Sequence, residues 1–169
     1  LSVIESSLSL RRTLLLIFKS KFEIIFAGDD CKNILKLIDQ EVGKTWVDCI
    51  KIACRQKKFS QAQAFIAEAE IYCPQDLFIE KAKFYWIKDD ANNALRILEN
   101  NCEDLDQYEK SVLPEHKEKR ELLAKARLNI AKYNAEVKNV DFETNRKLFE
   151  KAIAANNENE KCHLLLADY

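Results

Sequence analysis

Apolar residues recur at steps of three and four from Leu8 to Tyr169, and this spacing constrains the fold more tightly than any other feature of the chain. It lines one side of a helix with side chains that need a partner. Strands lack the raw material here. They are joined by turns that lean on Gly and Pro, and the 169 residues include only 2 of each. The expectation is an all-α chain of long helices joined by short polar connections.

Leu8, Leu15, Phe18, Phe22, Ile25 and Phe26 form the first stripe. Ala27-Gly28-Asp29-Asp30 then reads as a helix stop followed by an N-cap. Ile34, Leu35 and Ile38 mark a short helix, and Gly43 opens a break before the next one. In that next helix Trp46, Ile50, Ala53 and Cys54 share a face. Lys57-Lys58-Phe59 reads as a turn, with Ser60 as the following N-cap. Ala62, Phe65, Ile66, Ala69 and Tyr72 form the buried side of a helix that Pro74 ends. Asp76 can cap a helix carrying Phe78, Ala82, Tyr85 and Trp86. Asp89-Asp90 turns the chain and caps a helix with Ala91, Ala94, Leu95 and Leu98 inward. The polar stretch from Asn100 to Glu115, which holds Pro114, is the one long connection. Leu123, Ala126, Ile130, Tyr133 and Val137 line a longer helix. Asp141 starts another, with Leu148, Phe149, Ala152 and Ile153 inward, and Cys162, Leu165, Leu166 and Tyr169 begin a last one.

Charge and cysteine usage narrow the function classes. With 27 basic and 28 acidic residues, no overall pull toward nucleic acid is expected. The longest greasy run, Leu14 to Phe18, meets Lys19 and Lys21 too soon to span a bilayer. Cys31, Cys49, Cys54, Cys73, Cys102 and Cys162 form no C-x-x-C pair, and several fall on apolar faces. They read as reduced core thiols of an intracellular protein. The chain has no Met and ends on Leu164-Leu165-Leu166-Ala167-Asp168-Tyr169 without a helix-stop signal, so an internal piece of a larger protein is expected.

A search for chemistry assigns no catalytic, cofactor or metal residue. Gly28 and Gly43 stand alone, which excludes a Gly-rich phosphate loop. His116 sits in the polar connection. His163 neighbours Cys162, but adjacent helical residues point about 100° apart, so the pair does not converge on a metal. Asp29-Asp30 and Asp89-Asp90 sit at helix starts, where capping accounts for them. Lys117, Lys119, Arg120 and Lys125 alternate with Glu118 and Glu121, the pattern of a solvated face with i,i+4 pairs. Lys51, Arg55, Lys57 and Lys58 are more one-sided and fit either a small basic patch or a solvated helix end.

The helices fall into pairs. A TPR unit is a helix hairpin of about 34 residues with aromatic, small and proline residues at fixed places. Trp46 opens such a unit, and Ala62, Ile66, Ala69 and Pro74 follow at matching offsets. Ala62 and Ala69 are small where two helices must approach closely. Trp86, Asp89-Asp90, Ala94, Leu95 and Leu98 make a looser copy, and Phe149 and Ala152 a third, with Asn157 in the place of the proline. The fold expected is an α-solenoid of TPR-like antiparallel helix pairs. Leading helices occupy 1–42, helix pairs 43–101, a connection 102–117, and a further pair with the start of the next 118–169. The residues expected to hold it together are Trp46, Ala62, Ile66, Ala69, Pro74, Phe78, Ala82, Trp86, Ala94, Leu95 and Leu98.

Several stretches resemble the FAT domain of the phosphatidylinositol-3-kinase-related protein kinases. They are Gly43-Lys44-Thr45-Trp46 through Lys57, then Phe59-Ser60-Gln61-Ala62-Gln63-Ala64-Phe65 and, most strongly, Phe78 through Asp90 followed by Ala94-Leu95-Arg96-Ile97-Leu98. In that family a helix patterned Glu-x-Ala-Lys-x-x-Trp leads through a short turn into Ala-Leu-x-x-Leu, here Glu80 to Trp86 and Ala94 to Leu98. Ser9 to Leu15, Asp141 to Asn145 and His163 to Tyr169 resemble the flanking helices. Within the family the pattern is most similar to the ATR-type checkpoint kinases. Two departures are Lys57-Lys58-Phe59, where a small or Gly-containing turn is usual, and Asn157 for a common proline.

The resemblance implies a role rather than an activity. A FAT solenoid clamps a C-terminal Ser/Thr kinase domain, which would hold the ATP and magnesium that this segment does not. Implied partners are the rest of its own chain, the ATR-interacting protein and a second copy of the kinase, with no direct nucleic acid and no membrane. The implied setting is the nucleus, in the DNA damage and replication checkpoint. The alternative reading is a free-standing TPR-like adaptor gripping a peptide through Asn92, Asn93 and Arg96.

Overall fold

The computed structural model describes residues 3–25, 29–137 and 140–155, and every regular element among them is helical. Seven α-helices follow one another there: α1 Val3–Ile25, α2 Asp29–Arg55, α3 Phe59–Tyr72, α4 Leu77–Ile87, α5 Ala91–Leu105, α6 Lys117–Val137 and α7 Phe142–Ala155. Two short 3₁₀ turns, Asp106–Tyr108 and Pro114–His116, lie between α5 and α6. The chain divides into two compact units, Leu1–Glu80 and Lys81–Tyr169.

In the first unit α1 packs on α2 and α2 on α3. Both pairs are antiparallel. Arg11 of α1 meets Glu41 of α2, while Lys19, further along α1, meets Asp39. Likewise Trp46 of α2 faces Phe65, while Gly43 faces Tyr72. Val42, Val47, Ile50, Ala53, Ala62 and Ala69 are almost wholly shielded from water and form the centre of this unit.

In the second unit α5 packs on α6 and α6 on α7. The last pair is antiparallel, with Ala131 opposite Asn145 and Arg127 opposite Lys151. Leu128 and Ala131 of α6 meet Phe149 and Ala152 of α7, with Leu148 and Ile153 partly covered beside them. In both units the packed helices are neighbours in sequence, as they are in an α-solenoid of helix pairs.

The helix ends share one device. Lys57, Cys73 and Asp89 have φ of 58°, 44° and 59°, the left-handed region that usually selects Gly. At Lys57 the amide of Lys58 donates to the Ala53 carbonyl and that of Lys57 to Cys54, so the last carbonyls of α2 are paired. The same double bond pattern ends α4, from Asp90 to Tyr85 and from Asp89 to Trp86. α3 ends with a single bond from the Cys73 amide to Ala69. Asp90 caps α5 by accepting from the Asn93 amide at 3.2 Å, and Asp141 caps α7 by accepting from the Thr144 amide at 2.9 Å.

Several expectations are corrected. Gly43 does not open a break: α2 runs unbroken through it, and the division at 42/43 falls inside that helix. A Cβ on Gly43 would stand 3.2 Å from Tyr72 Cβ and 3.3 Å from Pro74 Cβ, so the glycine serves close approach of the α3 end. Ser60 does not cap α3, because the helix starts at Phe59 with Lys58 at the cap position and no side-chain cap bond. The connection is shorter than 102–117: α5 continues to Leu105 with Cys102 buried, and α6 starts at Lys117. Phe18 and Val137 are exposed, at 53% and 47%, although both fall on the expected apolar stripes. Cys73 is exposed, placed outward by its left-handed backbone. The expectations at Ala27-Gly28 and from Asn157 to Tyr169 lie outside the described residues, as do the surroundings of Cys31.

Candidate functional site

Most residues singled out by sequence are packing residues. Ala62, Ala69, Ala82, Ala94 and Leu98 have no accessible surface, and Ile66 and Leu95 are buried. Trp46, Pro74, Phe78 and Trp86 are half-buried. On α4, Phe84, Ile79 and Leu77 are buried along with Ala82, whereas Phe78 and Trp86 are only half-buried.

The tryptophans are held by specific neighbours. The Arg12 guanidinium lies 3.6 Å above the Trp46 ring, whose other partner is Phe65 at 5.4 Å. Arg12 also donates to Cys49 Sγ at 3.6 Å, and burial pushes that thiol up. Trp86 stacks on Tyr133 with centroids 3.9 Å apart and planes 5° from parallel. Both rings thereby tie a helix to a sequence-distant neighbour.

Charged pairs pin α1 to α2. Lys19 donates to both Asp39 oxygens at 2.7 and 3.0 Å, and this bond raises its pKa. Glu41 accepts from Lys44 and Arg11, which together hold its carboxyl below the ordinary range.

Sequence reasoning missed a buried polar cluster around Arg127. Only 6% of this side chain is exposed. It donates to Glu109 Oε1 at 2.6 Å, Asp106 Oδ1 at 2.8 Å and the Lys151 carbonyl at 3.1 Å, joining the connection to the last turn of α7. Burial works against its charge, but the two carboxylates outweigh it and raise its pKa. In return Arg127 holds the Glu109 carboxyl low. Cys102, beside this cluster, is pushed up to about 12 by burial. An arginine on a helix rich in Lys and Glu carries no mark of burial in the sequence.

The connection itself is laced with bonds. Ser111 Oγ lies 2.7 Å from His116 Nδ1, and the His116 ring meets the Tyr108 edge at 4.8 Å. Lys119 Nζ sits 4.0 Å over Tyr108, and Arg120 donates to the Ser111 carbonyl. Lys119 and Arg120 thus hold the loop, in place of the i,i+4 pairs expected on a solvated face. Ser111 and His116 have the elements of a nucleophile and base. Glu115, at 3.9 Å from His116 Nε2 and 74% exposed, is beyond hydrogen-bond reach as an orienting third group. The pair is a loop tie.

Two of the adaptor residues, Asn93 and Arg96, are committed locally. Asn93 Nδ2 donates to Asp90 Oδ2 at 2.7 Å and Arg96 donates to Asn93 Oδ1 at 3.0 Å, both within the α5 cap. Of the basic group at the end of α2, Lys51 pairs with Asp48 at 3.0 Å and Lys58 faces Glu5 at 3.8 Å. Among the described residues no three His, Cys, Asp or Glu stand together as a metal set, and no helix is long and apolar enough to cross a membrane.

Residues 2–169 match the FAT domain family. Over 141 residues the chain is 28% identical to the serine/threonine-protein kinase ATR of Drosophila melanogaster, which covers 83% of this chain. The aligned part is 6% of that kinase's length. No solved structure matches.

Proposed function

The chain belongs to the FAT domain family, and on that premise we propose that it is a helical scaffold and regulatory segment of an ATR-type serine/threonine protein kinase. In this reading it acts within the DNA damage and replication checkpoint, in the nucleus. It supports a kinase domain elsewhere in the same polypeptide, which holds ATP and magnesium. Its further contacts are neighbouring helical repeats, the ATR-interacting protein and a second copy of the kinase. The observation that carries the proposal is the family match over residues 2–169 combined with likeness to a kinase far longer than this chain. The chemistry is consistent with it. Arg12, Asp90, Asn93, Arg127 and Asp141 are all engaged in fastening helices or their ends. Side chains used in that way leave a chain that works by shape and by the surfaces it presents.

Two measurements test the proposal. Translating the source transcript downstream should reveal a kinase domain with its catalytic and metal-binding motifs. A frame that closes within a few tens of residues would overturn it. Cross-linking of the full-length protein should then join this segment to the kinase domain, and a protein that yields no such link while retaining Ser/Thr kinase activity would remove the supporting role.

A further inference from the structure

Asn145 is the one buried side chain among the described residues whose polar atom lacks a partner: it has no accessible surface, and its Oδ1 accepts no hydrogen bond. The orientation of its amide is fixed by chemistry. Nδ2 donates to the Ala131 carbonyl at 2.9 Å, and a carbonyl can only accept, so turning the amide over would set two acceptors against each other. The lone Oδ1 therefore needs a donor. The apolar residues of this interface, Leu128, Ala131, Phe149 and Ala152, have none in their side chains. Arg127, two turns before Asn134 on α6, directs its donors to Glu109, Asp106 and Lys151. Asn134 itself is buried, three residues beyond the Ala131 whose carbonyl Asn145 binds.

We propose that an internal water molecule binds between α6 and α7, donating to Asn145 Oδ1 and bridging it to the side-chain amide of Asn134. Water supplies the missing donor, and a buried water is held by two to four polar partners. Asn145 Oδ1 and the Asn134 amide supply two; the Ala131 carbonyl is already filled by its helical bond and by Asn145 Nδ2. The site makes the α6–α7 joint a hydrated seam on the flank that also carries Arg127, set beside the dry contact of Leu128 with Phe149. It stands apart from the kinase reading and survives that reading's failure.

The test uses the isotope-labelled 169-residue chain. Water-to-amide cross-relaxation should appear at the side-chain amides of both Asn145 and Asn134, and Asn145→Leu should abolish it at Asn134. A high-resolution crystal structure of the unsubstituted chain should place one water within hydrogen-bond distance of Asn145 Oδ1, which keeps the test independent of how the variant folds. A protein N–H donating to Oδ1, a metal ion in that position, or no cross-relaxation at either amide overturns the proposal.

Discussion

Replacing Arg127 by Ala should destabilise the second unit by about 2–5 kcal/mol. The magnitude follows from what the guanidinium touches. Its bond to Glu109 at 2.6 Å is charge-assisted and involves a carboxylate only 28% exposed, so it contributes about 1–2 kcal/mol. Asp106 is 53% exposed and regains water when its partner leaves, so its share is at most about 1 kcal/mol. The Lys151 carbonyl loses a donor, and truncating the buried stem leaves a void costing about 1–2 kcal/mol. Arg127→Met keeps the stem and frees both carboxylates to solvent, so it should cost about half as much.

The assay reads each unit separately. Trp46 lies in the first unit and Trp86 in the second, stacked on Tyr133. In a Trp46→Phe background, urea unfolding followed by indole fluorescence reports the second unit alone. The pH dependence gives an independent check. Arg127 depresses the folded-state pKa of Glu109 from its ordinary value of 4.5. The stabilisation is therefore complete above that value and is lost as pH falls through the lower folded value. Arg127→Met should flatten the stability profile in that acid window. A loss below about 0.5 kcal/mol for Arg127→Ala, or an unchanged acid slope in Arg127→Met, would refute the reasoning.

Trp86→Ala should cost about 3 kcal/mol in urea unfolding, since it removes a half-buried indole and its stack on Tyr133; a loss under about 1 kcal/mol would mean the ring is not an anchor. Lys57→Gly and Asp89→Gly should each raise stability by about 0.5–1 kcal/mol, measured by the same method, because both residues hold left-handed φ at helix ends. Gly43→Val should destabilise by about 1–3 kcal/mol through contact with Tyr72 and Pro74, although a β-branched residue ordinarily suits a helix better than glycine does.

How much of this was legible in the sequence depends on whether a residue's reason is local or tertiary. The helices themselves were, because periodicity and capping act within a few residues. Asp90 and Asp141 cap as expected, and the small Ala62, Ala69 and Ala94 lie fully buried where two helices meet. Gly43 misled, since its local meaning is a weak helix and its real one is the nearness of Tyr72 and Pro74. Phe18 and Val137 misled for a related reason: spacing tells which side a residue faces, not whether a neighbour covers it. Arg127 and Asn145 had no signal, because a single polar residue in a polar helix looks the same whether it is solvated or buried.

The helix ends carry a subtler lesson. Lys57, Cys73 and Asp89 take the same left-handed turn and stand 16 residues apart, half the length of a TPR-like hairpin to within a residue. No glycine marks any of them, so composition conceals a repeat that the backbone displays. For these residues the left-handed conformation costs about 1–2 kcal/mol each. The carbonyls they allow to be paired, at Ala53, Tyr85 and Ala69, lie in the last turns of α2, α4 and α3, where orphaned acceptors would otherwise accumulate. The turn geometry is therefore imposed by the need to end three helices at a regular interval, and the residues that occupy it are tolerated there. That is why a chain with so little glycine can still fold as successive short helices, and why its repeat is clearer in φ than in residue type.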